Sequence, residues 1–274
     1  MLCAAMMCTL FAITSQAAGV TTVCSYAEKK TVFYKDVTGD GKADKVTISP
    51  VKNSYDCVTG IRVYVNGNKV LSKKTSGMVY GVTVNYIQMS KSKVFLQIYT
   101  HGDNDYVAQN FIYRCNKKGT KLTQVLDLRM GMVTGKQVTS VTSNTIKVYF
   151  TVQPSEIGWV NWTYTYKYTG GKFKLKSSIA SVKSSLTYDN GDGYSKLFRQ
   201  NKFKAKKNLT FYTKTNLSTV SFTVKPGDIV KLKRIKVTDS AVYMQFQKGT
   251  KKGWQRVKQL DFDWFYGVSQ RLAG

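Results

Sequence analysis

The chain has 274 residues, 42 lysines and arginines against 15 acidic residues, and a formal net charge of +27. A hydrophobic share of 42% and 18 tyrosines are enough to build real cores, and three prolines exclude a low-complexity stalk. With His101 the only histidine and no Cys-x-x-Cys pair, zinc ribbons, thioredoxin-type sites and most zinc chemistries are excluded.

The first seventeen residues, MLCAAMMCTLFAITSQA, carry no charge and end on Ser15-Gln16-Ala17, small residues at the −3 and −1 positions of a signal-peptidase site. Residues 1–17 are therefore expected to be a signal peptide, although the Lys/Arg n-region is missing. The run is too short and too quickly polar to span a membrane. An exported protein is expected, with no integral span after cleavage. Export leaves Cys24, Cys57 and Cys115, enough for one disulfide and one thiol. Cys57 with Cys115 is the preferred pair, and Cys24 with Cys57 stays open.

DVTGDGKADKVTI (36–48) follows, with three aspartates and two glycines in nine positions. Counted from Asp36, carboxylates fall at positions 1, 5 and 9 (Asp36, Asp40, Asp44), Thr38 at 3 and Gly41 at 6. The Lys42 carbonyl at 7 would add a backbone oxygen. A hard divalent cation takes about six to eight oxygens, and three carboxylates facing one another without a counter-ion would repel. Position 12 is Thr47 and the flanks are strand-like, so an EF-hand is excluded and a calcium loop within a β-hairpin remains.

Strand signals fill the rest of the body. KVTIS, GIRVYVNGNKVL, GVTVNYIQM, KVFLQIYT, YVAQNFIYRC, TIKVYFTVQ and WVNWTYTYKY alternate or run apolar. Turn residues separate them, Asn66-Gly67 most sharply. Nowhere do apolar residues keep helical spacing for three turns. The reading is all-β: an antiparallel meander, propeller-like or a sandwich, over residues 18–176. In 177–207 serine, glycine and lysine accumulate and the strong strands stop, which marks a linker. A smaller β module resumes over 208–274.

Chemistry beyond the aspartate loop is sparse. YTHGDND (99–105) gathers His101, Asp103 and Asp105, the best acid/base candidate, although such a segment more often terminates a strand. The only glutamates, Glu28 and Glu156, suggest no glycosidase pair. Trp159 and Trp162 could stack on carbohydrate, but three positions apart in a strand they face opposite sides. Residues 201–274 hold a net +12 and the remainder +15, so basicity belongs to the whole surface. Such a surface accumulates polyanions in a salt-dependent way. Only seven of the 42 cations are arginine, which favours point-charge attraction over specific base readout.

Two resemblances add to this. DVTGDGKAD resembles the Asp-x-x-Gly-Asp-Gly-x-x-Asp signature of FG-GAP/VCBS repeats, calcium-binding hairpin loops of propeller blades. That resemblance implies Ca²⁺ ligands at Asp36, Asp40 and Asp44; Thr38 departs from the usual Asp or Asn. A near-copy, YDNGDGYSK (188–196), has Tyr188 and Lys196 where the outer ligands should be, so no ion is expected there. Residues 210–259, with the Lys225–Asp228 turn, VYMQFQ and the closing Gly253-Trp254, resemble a bacterial Src-homology-3-like domain. That resemblance implies a small barrel docking on peptidoglycan or other wall ligands, with Tyr212, Phe222, Tyr243 and Trp254 as stacking faces; Phe222 and Trp254 are read first as core residues. Together these features point to a secreted, cell-wall-associated, non-enzymatic and calcium-stabilised binding or adhesion protein with no specific nucleic-acid partner. A cell-wall hydrolase, or its accessory subunit, is the alternative.

Overall fold

The computed structural model describes residues 18–75, 78–102, 107, 109–131, 133–186, 193–257 and 263–268. The expected signal peptide, Asp103, Asp105 and Tyr188 lie outside them. The chain is all-β and antiparallel throughout. Its strands are β1 (Gly19–Ala27), β2 (Thr31–Lys35), β3 (Asp44–Lys52), β4 (Val58–Val65), β5 (Asn68–Lys74), β6 (Val79–Ser90) and β7 (Lys93–Gly102). Next come β8 (Asn110–Cys115), β9 (Leu122–Asp127), β10 (Arg129–Met130), β11 (Val133–Val141), β12 (Thr145–Val152), β13 (Trp159–Thr169), β14 (Lys172–Leu175) and β15 (Ile179–Leu186). One helical turn, α1 (Ser195–Phe198), precedes β16 (Lys202–Lys204), β17 (Leu209–Tyr212), β18 (Val220–Val224), β19 (Ile229–Val237), β20 (Val242–Lys248) and β21 (Lys251–Val257).

The topology is a succession of meanders. β2 to β5 form one four-stranded sheet, and β6 to β9, with β1 added beside β6, form a second. β11 to β14 repeat the meander at the start of a 12-stranded sheet that continues through β15 into the C-terminal strands. Sequential antiparallel neighbours need only short turns, which is why turn chemistry spaced the strands so legibly. At Asn66 and Gly67 the φ angles are +50° and +88°, the double positive pair of the expected two-residue hairpin.

The second sheet is buried on both faces. Val82, Val84, Leu96, Ile98 and Phe111 pack toward the first sheet. Ile87, Met89, Phe95, Ile112 and Val125 belong to the core shared with the third meander and the C-terminal strands. That explains why β6 and β7 read as nearly continuous apolar runs.

Residues 177–207, expected to be a linker, carry β15, α1 and β16. β15 pairs with β13 at one end and with β19 at the other, so it joins the third meander to the C-terminal strands. One apolar cluster runs from Ile87 to Phe265 across that position. The division between the two cores therefore falls along the second sheet.

The expected disulfide is corrected: Cys24, Cys57 and Cys115 are all free thiols. Cys24 and Cys115 are buried in the core between the first two sheets. Cys57 sits in a surface turn, its Sγ 3.7 Å from the Tyr55 carbonyl oxygen.

Candidate functional site

The aspartate loop joins β2 to β3, and each carboxylate in it has a defined use. Asp36 Oδ1 accepts from the amides of Gly39 at 2.7 Å and Asp40 at 3.2 Å, and its Oδ2 accepts from Gly41 at 2.8 Å. Asp44 Oδ2 accepts from the amides of Val37 and Thr38 and from Thr38 Oγ1, at 2.9, 3.0 and 3.1 Å. Asp40 Oδ1 accepts from the Lys42 amide at 2.8 Å. Positive φ at Gly39 and Gly41 lets the chain turn these amides inward. A chain reversal this tight leaves a set of amides with no strand partner, and the aspartates supply acceptors for them.

Asp44 and Thr38 are buried, whereas Asp40 and Lys42 are exposed. Asp36, Thr38 and Asp44 converge, with Thr38 Oγ1 3.5 Å from Asp36 Oδ1 and 3.1 Å from Asp44 Oδ2. Among the described residues, no group of three His, Cys, Asp or Glu side chains is disposed to hold a metal ion. The Tyr86 hydroxyl donates to the Asp36 carbonyl at 3.0 Å, fastening the loop to β6. Burial, helped by the charges of Asp36 and Asp44, pushes the Tyr86 phenol up to about 12.

In the C-terminal strands the expected ligand aromatics separate. Tyr212 and Tyr243 are half-buried, whereas Trp254 is only 5% exposed and Phe222 7%. Phe222 stacks on Phe211 at 4.8 Å in the core. Trp254 lies opposite Gln245 on one side and Tyr212 on the other. Lys236 Nζ donates to Thr215 Oγ1 at 3.2 Å, which draws the 213–219 loop toward this face.

The same face holds a feature that residue-by-residue reading missed. In the register, Lys202 lies opposite Lys231, Lys231 opposite Gln247, and Gln247 opposite Lys252. A second row sets Lys236 opposite Tyr243 and Tyr243 opposite Arg256. No carboxylate occurs in either row. Among the described residues, Lys202, Lys231 and Lys252 make no salt bridge. The alternation of lysines along IVKLKRIKV is visible in the sequence, but which lysines share a row depends on register.

His101 stands near the end of β7, its Nε2 2.7 Å from Thr83 Oγ1 on β6. Tyr26 and Tyr99 flank its ring with centroids at 4.9 and 5.0 Å. A cavity of about 190 Å³ lies here, lined by Tyr99, His101, Val107, Lys136, Gln137 and Tyr149. Lys136 and Gln137 come from a β11 bulge between Gly135 and Val138. The bulge is held by a buried polar relay. Asn85 donates to Gln97 at 3.0 Å, and Gln97 donates to Asn110 at 2.9 Å and to the Lys136 carbonyl at 2.9 Å. Gln97 Oε1 in turn accepts the Val138 amide at 3.2 Å.

Trp162 is fully buried and stacks on Phe150 at 5.6 Å, while Trp159 is half-buried with Lys136 Nζ 6.0 Å above its ring. Glu156 is fully buried in the turn before β13, and Glu28 lies at the surface 3.8 Å from Lys52 Nζ. Among the described residues no helix is long and apolar enough to cross a membrane. Comparison of the chain with protein families, with curated proteins and with solved structures returns no match.

Proposed function

We propose that the protein is an exported, non-enzymatic binding or adhesion protein of the cell envelope, retained on anionic wall polymers by the basic face of its C-terminal strands. The carrying observation is the Lys202–Lys231–Gln247–Lys252 row. Like charges directly opposite one another across a strand pair destabilise the sheet. A polyanion laid along the row supplies the counter-charge that the protein itself withholds. Lysines suit this task, because a flexible point charge follows an irregular polymer without demanding one geometry.

The test is sedimentation of the full chain with purified cell walls, before and after removal of their anionic polymer, across a salt series. Retention should fall as salt rises and should drop on stripped walls. Salt-insensitive retention on bare peptidoglycan would instead favour the expected stacking aromatics Tyr212 and Tyr243 as the source of affinity.

Calcium remains the proposed stabiliser of the aspartate loop, supported by the spacing of Asp36, Asp40 and Asp44 and by the convergence of Thr38 on two of these carboxylates. The amide bonds already satisfying those carboxylates limit what an ion can add. Calorimetry with CaCl₂ and melting with and without EDTA test it: uptake of one ion with a raised melting point supports the reading, and indifference removes it.

A second reading, a wall hydrolase or accessory subunit, draws on the Thr83–His101 contact beside a cavity. A zymogram of the wild type and His101→Ala decides it: a lytic band lost in the variant favours the hydrolase.

A further inference from the structure

We infer that a cleft on the outer face of the first meander is a subsite for one phosphorylated sugar unit of an anionic glycopolymer, an inference that rests on the polymer-binding reading above. The cleft has a volume of about 330 Å³ and is lined by Lys30, Lys45, Thr47, Ser49, Tyr64 and Gly67. That is at the lower end of ligand-site volumes, about 300 to 1,000 Å³, and suits a unit the size of a monosaccharide phosphate.

The sheet builds this site by alternation. Val46 and Ile48 point into the core and are fully buried, so Lys45, Thr47 and Ser49 line the opposite face. Thr47 lies opposite Val32 on one side and Tyr64 on the other, and at 8% exposure it forms the floor. The Tyr64 ring offers an apolar face beside the Thr47 and Ser49 hydroxyls, which can both donate and accept. A sugar ring needs this combination, having apolar C–H faces and a rim of hydroxyls.

Charge then selects the phosphate. Lys30 and Lys45 are exposed, and among the described residues neither makes a salt bridge. No carboxylate is among the cleft residues given above. Ammonium groups act here as point charges, and Arg62, directly opposite Ser49 on the same exposed face, adds a third cation at the edge of the cleft. One aromatic ring over a hydroxylated floor suits a polyol better than a run of stacked bases. The walls are firm, since β3 begins at Asp44, whose carboxylate holds four donors.

The test is calorimetric titration of the full chain with α-glucose 1-phosphate, with glucose and with inorganic phosphate at fixed ionic strength. Glucose 1-phosphate should bind saturably and at least about tenfold more tightly than either component alone. Tyr64→Ala should weaken glucose 1-phosphate by about tenfold and leave phosphate nearly unchanged. Lys45→Gln should narrow the gap between glucose 1-phosphate and glucose; its side chain is exposed, so this variant keeps the test valid should Tyr64→Ala misfold. Lys231→Glu should lower wall retention while leaving glucose 1-phosphate binding intact, which separates this subsite from the C-terminal face. Equal affinity for phosphate and glucose 1-phosphate, no binding of the sugar phosphate, or insensitivity to both cleft variants would overturn the subsite. So would an oligoribonucleotide that binds through Tyr64 when the sugar phosphate does not.

Discussion

Asn66 Nδ2 donates to Asp44 Oδ1 at 2.7 Å, across 22 positions of chain, and ties the aspartate loop to the Asn-Gly turn. Asn66 Oδ1 also accepts the Lys45 amide at 2.8 Å, and the Asn66 amide donates to the Lys45 carbonyl at 2.9 Å. Two turns at one end of the first meander thereby hold each other in register. Asp44→Asn turns one of these acceptors into a donor facing the Asn66 amide group. Leaving buried donors unmatched should cost about 1–3 kcal/mol, read as a lower urea midpoint with an unchanged slope.

Gly131 has a φ of +55°, and a Cβ placed there would run into the backbone of Asp239 in the β19–β20 turn. The contact joins the third meander to the C-terminal strands. Gly131→Ala must separate the two turns and should cost about 1–3 kcal/mol. Urea unfolding followed at the same time by tryptophan fluorescence and far-UV circular dichroism checks it.

Gln97 is fully buried, and its amide serves Asn85, Asn110, Lys136 and Val138 together. Gln97→Leu fills the space but strands those groups, so a loss of about 2–4 kcal/mol is expected. Hydrogen exchange should accelerate most at the Val138 amide, whose acceptor disappears.

Thiol labelling separates the cysteines. Under native conditions Cys57 should react with a disulfide reagent, whereas Cys24 and Cys115 should react only on unfolding. Burial raises the Cys24 thiol and pushes the Cys115 thiol up to about 11, with the Asp44 charge adding to the latter, so neither offers a ready thiolate. Among Cys24, Cys57 and Cys115, one fast and two protected thiols are expected, and any disulfide between them would contradict the free thiols of the structure.

Alkali provides a separate test. The Tyr86 phenol titrates near 12 in the folded protein, against an ordinary value near 10, because burial and the Asp36 and Asp44 charges disfavour its anion. A group raised in this way contributes stability that is fully present below its unfolded value and lost as pH climbs through the folded one. Stability should therefore fall between about pH 10 and 12, and Tyr86→Phe should make that fall shallower. Tyrosinate absorbance and urea midpoints across the window check it.

The Asn66-Gly67 turn and the strand content were legible because both depend on neighbours in sequence. Asn66-Gly67 needs only its own φ angles, and alternation along β12 shows in the residues themselves. The aspartate loop was legible as a cluster, yet its chemistry was not: spacing alone cannot say that Asp44 accepts from a side chain 22 positions away. The stretch SSIASVKSSL looked like a linker because its residues are small and weakly apolar. From Ile179 to Leu186 it is a strand, because β13 and β19 offer it edges to pair with.

Composition and local pattern determined that this chain is basic, antiparallel and built of short strands, since backbone geometry and turn chemistry act over a few residues. Tertiary structure alone decided which lysines stand in one row, where the two cores divide and which polar groups meet inside the second sheet. Those relationships depend on strand register between distant segments. A shift of one residue would move every side chain to the opposite face.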